Sequence, residues 1–143
     1  MKKYILSVLV LFFMSIVINA QEKVLHLSMQ DAIDYAIKTV EPNSNNGTTV
    51  TLERIGTMPM PIDVSVQYQD GSEETFHIPL QMARAEKENP YSGIKWTVLK
   101  DWAWAYPTYS FDIPAGKIVT TINIDASALM ADINRDNNSY GRK

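Results

Sequence analysis

The chain has 143 residues, 13 of them basic and 16 acidic, with a net charge of −3 and no cysteine. A surplus of acid argues against a nucleic-acid partner, which selects a basic face, and it offers no polybasic handle for anionic lipid. Without disulfides, a chain of this size depends on one small hydrophobic core.

Residues 1–20 read as a secretory signal. Lys2 and Lys3 form the positive n-region, Tyr4 to Ile18 the apolar stretch, and Ile18-Asn19-Ala20 the small-residue cleavage site. The apolar run of about fifteen residues falls short of the roughly 20 that span a bilayer. The expectation is therefore export, a mature start at Gln21, and no membrane association after cleavage. Losing Lys2 and Lys3, with no acid, deepens the net charge from −3 to −5.

Residues 21–40 are expected to form an N-terminal amphipathic helix. Met29, Ala32, Ile33, Ala36, Ile37 and Val40 make one stripe at three- and four-residue spacing, Ser28 suits the cap, and Asp31 complements the first-turn amides. Glu41-Pro-Asn-Ser-Asn-Asn-Gly47 reads as a linker.

From Thr48 the period becomes two. Val50 and Leu52 open a strand, and Ile62, Val64, Val66 and Tyr68 alternate with Asp63, Ser65, Gln67 and Gln69. Asp70-Gly71 predicts a tight hairpin with φ > 0 at both turn positions. The return strand puts Phe76, Ile78 and Leu80 on one face and Thr75 and His77 on the other, toward solvent. Residues 81–94 form a long polar loop. Strands resume at Trp96–Val98 and Tyr109–Ile113. After the turn Pro114-Ala115-Gly116, Ile118, Thr120, Ile122 and Ile124 line the last strand. The expected fold is mainly β, a sandwich over residues 48–138 followed by a flexible tail over 139–143.

Several stretches occur in one order that resembles a known family: Arg54-Ile-Gly-Thr-Met-Pro-Met-Pro-Ile-Asp63, Tyr68-Gln-Asp-Gly71, Glu86-Lys-Glu-Asn-Pro90, Asp101-Trp-Ala-Trp-Ala-Tyr-Pro-Thr-Tyr109 and Asp125-Ala-Ser-Ala-Leu-Met-Ala-Asp132. On these, residues 52–138 resemble the C-terminal segment of bacterial aminopeptidase N-like zinc metallopeptidases. The resemblance implies a non-catalytic, immunoglobulin-like antiparallel β-sandwich that packs beside the catalytic domains and helps shape access. Ala103 and Ala126 depart from the pattern, which would carry proline at both places; each loses a fixed φ. Residues 1–40 resemble the N-terminus of TolC-type outer-membrane efflux proteins, through the signal and the stretch Leu27 to Ala36. Together the two imply a fused or truncated reading frame, exported to the periplasm or outside of a diderm bacterium.

No local pattern supplies a catalytic centre. A zincin needs two histidines one helical turn apart and a glutamate, whereas His26 and His77 lie far apart without motif partners. There is no cysteine nucleophile and no Gly-x-Ser-x-Gly elbow. Glu73-Glu74 and Glu86/Glu88 read as solvated acid pairs. Asp132-Ile-Asn134-Arg-Asp136-Asn-Asn138 begins like a calcium loop, but its sixth position is Asn137 rather than glycine and its twelfth is Lys143 rather than glutamate, so it reads as polar tail. The chain is therefore expected to be no enzyme and to hold no metal and no cofactor.

The candidate residues are instead an interaction surface: Met58, Met60, Trp102, Trp104 and Tyr106. Met58-Pro-Met60-Pro61 is an apolar, stiff loop. Trp102, Trp104 and Tyr106 sit two apart, and in an extended segment they share one face. That strip suits core packing, a surface for a peptidase catalytic domain or another protein, or a stacking platform in a small periplasmic peptide- or glycan-binding module.

Overall fold

The computed structural model describes residues 32–81 and 87–141. Residues 33–141 build two sheets from eight strands: β1 (Tyr35–Pro42), β2 (Thr48–Arg54), β3 (Ile62–Tyr68), β4 (Glu73–Ile78), β5 (Lys95–Val98), β6 (Thr108–Ile113), β7 (Val119–Ile124) and β8 (Ser139–Gly141). One sheet has the order β1-β2-β6 and the other β5-β4-β3-β7-β8. The fold is mainly β, with no α-helix among the described residues; a 3₁₀ turn at Arg135–Asn137 precedes β8. Every strand pair is antiparallel except β4 with β5, which the connection 79–94 makes parallel.

The core follows from alternation. Val50, Leu52, Phe111 and Ile113 of one sheet and Val64, Val66, Phe76, Ile78, Ile122 and Ile124 of the other are all buried. Phe76 and Phe111 meet across the sheets with ring centroids 4.9 Å apart. Strands β2 and β6 hide one alternate set and leave the other at least partly outside, as period-two patterning encodes, whereas β4 also buries Thr75 and His77 on its other face.

Several expectations are corrected. Residues 35–40, expected to end a helix, are strand: β1 pairs along its length with β2. A bulge between Ile37 and Thr39 resets the alternation, so Tyr35, Ile37 and Val40 all turn toward the core. An offset of two and then three residues mimics helical spacing, which is why the pattern misleads. Residues 21–31 of the expected helix, and the signal at 1–20, lie outside the described residues.

The expected linker is a hairpin turn. Asn43 N donates to Gly47 O at 3.0 Å, Gly47 N donates to Asn43 Oδ1 at 2.9 Å, and Asn46 takes φ 57°. The sandwich therefore begins near Ile33 rather than at residue 48.

The tail expected to be flexible forms β8, which pairs with the end of β7 and sets Tyr140 against the core. The turn after β3 has one left-handed residue, not two: Gly71 at φ 80°. Its bonds, Gly71 N to Tyr68 O and Tyr68 N to Ser72 O, both 3.0 Å, make a three-residue loop closed by the glycine. A matching irregularity between Gln67 and Tyr68 shifts β7 by one place. Val119 is thus buried, while Ile118, expected inside, is 54% exposed.

Candidate functional site

The two ends of the sandwich differ in composition. One end carries the tight turns 43–47, 69–71 and 114–116. At the other end β2, β4, β5 and β7 finish and β1, β3, β6 and β8 begin. Among the described residues nine large hydrophobic side chains are exposed, and eight of them belong to this second end: Ile55, Met58, Met60, Val98, Trp104, Tyr106, Leu129 and Ile133. Ile118 alone lies at the first. Exposed apolar side chains are ordinary when scattered; concentration at one end is not.

Tyr35 and Trp102 build the floor of that end. The Tyr35 hydroxyl accepts from Met60 N at 2.7 Å and donates to Met60 O at 3.0 Å, which fixes the loop 55–61. Its ring meets Trp102 edge-on, with centroids 5.6 Å apart. Trp102 in turn lies against Tyr109 at 5.3 Å and donates from Nε1 to Tyr106 O at 2.9 Å. Arg54 donates through Nη2 to Trp104 O. Burial raises the Tyr35 hydroxyl pKa above its ordinary value, against the opposing pull of the Met60 hydrogen bond, so it stays a neutral donor.

Of the sequence-predicted residues, Met58, Met60, Trp104 and Tyr106 are exposed, at 45%, 36%, 59% and 65%. Trp102 is not part of the surface: it is 3% exposed and belongs to the core. The strip fails because residues 103–106 turn instead of extending, with Tyr106 N donating to Ala103 O at 3.0 Å. Alternation applies only to extended backbone. Ile55, Leu129 and Ile133 were missed. Ile133 sits between Asp132 and Asn134, Ile55 follows Arg54, and Leu129 lies in the short run Ala128-Leu129-Met130; the signal was an apolar residue placed where a strand had already ended.

A second cluster lies on the outer face of the larger sheet. His77, expected toward solvent, is 3% exposed. Its Nδ1 bonds Asp63 Oδ1 at 2.7 Å, and its ring stacks on Trp96 at 5.2 Å and 16°. Lys87 reaches the other oxygen of Asp63 and stands 5.7 Å over the Trp96 ring. The segment 87–97 thus covers this part of the sheet. Next to it, a cleft of about 220 Å³ runs between Met60, His77, Lys87, Ser127 and Leu129. Among the described residues no hydroxyl is hydrogen-bonded to His77, and no three acid, histidine or cysteine groups converge as metal ligands. The Asp63–His77 pair orients an imidazole on the covered face of the sheet. No protein-family model, curated protein or solved structure matches this chain.

Proposed function

We propose that this chain acts by contact and not by chemistry. It is an exported accessory β-sandwich, whose apolar end docks on the catalytic domain of an aminopeptidase N-like enzyme, the family whose C-terminal segment residues 52–138 resemble. The observation that carries this reading is the gathering of Ile55, Met58, Met60, Trp104 and Tyr106 at one end, over the Tyr35–Trp102 floor. Aromatic and methionine side chains on a rigid base are the composition of a contact surface. A stacking platform for glycan has less support, because Trp102 lies beneath the surface it would need to share with Trp104 and Tyr106. The signal-like composition of residues 1–20 supports export.

The test is titration of the purified protein against an aminopeptidase N-like enzyme lacking its own C-terminal sandwich. Binding is expected. The double variant Met58→Ser, Trp104→Ser is expected to weaken it by about tenfold or more, since a few central apolar anchors dominate such interfaces. Both side chains are exposed, so the melting temperature should hold. No binding, or equal binding by the variant, would overturn the reading.

A further inference from the structure

The start of β1 is held in a cluster of buried oxygen atoms. Asp34 is 7% exposed, Asp132 9% and Asn138 5%. Asp132 Oδ2 accepts from Tyr35 N at 3.1 Å and from Asn138 Nδ2 at 3.0 Å, and its Oδ1 accepts from Asn134 N at 2.9 Å. Asp34 Oδ1 accepts from Asn137 Nδ2 at 3.0 Å. The two amide groups thus spend their donors on the carboxylates. Oδ1 of Asn137 and Oδ1 of Asn138 are left buried without any hydrogen-bond partner.

Hydrogen bonds from N–H groups, rather than cationic side chains, meet the two carboxylates. Among the described residues no lysine, arginine or histidine forms an ion pair with Asp34 or Asp132. Arg135, close in sequence, turns its guanidinium to the carbonyls of Ala128 and Met130. Two buried carboxylates beside two buried acceptors without donors are costly in a protein interior. The same set is what a hard cation selects: carboxylate and amide oxygens, with water completing the shell.

We propose that Asp34, Asp132, Asn137 and Asn138 bind a calcium ion that ties the start of β1 to the segment ahead of β8. The alternating ladder opening at Asp132 contributes its two ends, while Asn134 and Asp136 remain exposed. An all-oxygen set with no imidazole or thiolate disfavours zinc. Only two acids take part, so affinity falls in the weak range of extracellular modules, a Kd of about 10⁻⁴ to 10⁻³ M.

The experiment is calorimetric titration of the purified, EDTA-treated protein with calcium chloride, paired with thermal unfolding. Binding is expected, with a melting temperature raised by about 5 °C in 10 mM calcium chloride. Asp34→Asn keeps the shape and should abolish both, while melting in EDTA no lower than the parent because a buried charge is gone. Terbium chloride, excited through the aromatic residues, gives a second readout that calcium should displace. No heat, no shift and no displaceable terbium emission in the parent protein would overturn the site. So would a calcium shift that Asp34→Asn retains.

Discussion

Trp102 supports the apolar end from below. It touches Tyr35 and Tyr109 with its ring and holds Tyr106 O with its nitrogen. Trp102→Ala should cost about 3–5 kcal/mol, the range for deleting a buried aromatic, read as a lower urea midpoint. Glu74 is a second point of sensitivity, because it is a carboxylate at the edge of the core. Burial works to raise its pKa. Hydrogen bonds from Lys95 and Thr97, with the Lys95 charge, outweigh that together and hold it below the usual glutamate range. A group depressed in the folded state adds stability above its unfolded pKa of about 4.3 and loses it as pH falls through the lower folded value. Glu74→Gln should therefore destabilise the protein at pH 7 by about 1–2 kcal/mol, and the gap from the parent should close as the pH drops below about 4. Persistence of the full gap at pH 2 would contradict this assignment. His77 and Trp102 show why single residues were misread. Period-two spacing says which face a side chain takes, but not whether a loop from elsewhere covers that face. Residues 87–97 bury His77, and the turn 103–106 leaves Trp102 inside.

β1 is the element most exposed to failure. It is an edge strand, and its first residues are tied down by Asp132, 97 positions away. Asp132→Ala should release the start of β1 while β3 and β7 keep their pairing. Amide exchange should rise along residues 35–41 and stay slow at residues 64–66. Uniform loss of protection would mean that β1 and the larger sheet unfold as one unit. The turn that joins β1 to β2 has its own constraint. A Cβ on Gly47 would stand 2.3 Å from Ile113 O, a backbone atom that cannot swing aside. Gly47→Ala should therefore destabilise by well over the about 1 kcal/mol that ordinary substitutions cost, checked by thermal unfolding. Strands β2, β3, β4, β6 and β7 were legible because each is long enough to alternate. β1 was not, because its bulge imitates helical spacing. β8 was not, because Ser139-Tyr140-Gly141 is too short to show a period and pairs only once β7 is in place.

At the scale of the whole molecule, the sandwich is asymmetric in chemistry. Short turns rich in Asn, Asp and Gly close one end, and the opposite end sets apolar loops on a rigid aromatic floor. Asp70 helps close the first end: a hydrogen bond from Lys117, reinforced by Ser72, holds its carboxyl well below the usual carboxylate range. That Met58, Met60, Trp104 and Tyr106 lie in loops beside proline was legible, and the structure leaves all four exposed. Their position at one end was not, since it depends on which strands finish together. The most direct test of contact at this end is an amide chemical-shift map of the isotopically labelled protein, titrated with the aminopeptidase N-like enzyme lacking its C-terminal sandwich. The account predicts shifts at residues 55–60, 98–106 and 129–133, with residues 43–47, 69–72 and 114–117 unmoved. Shifts confined to those turns, or none at all, would contradict it.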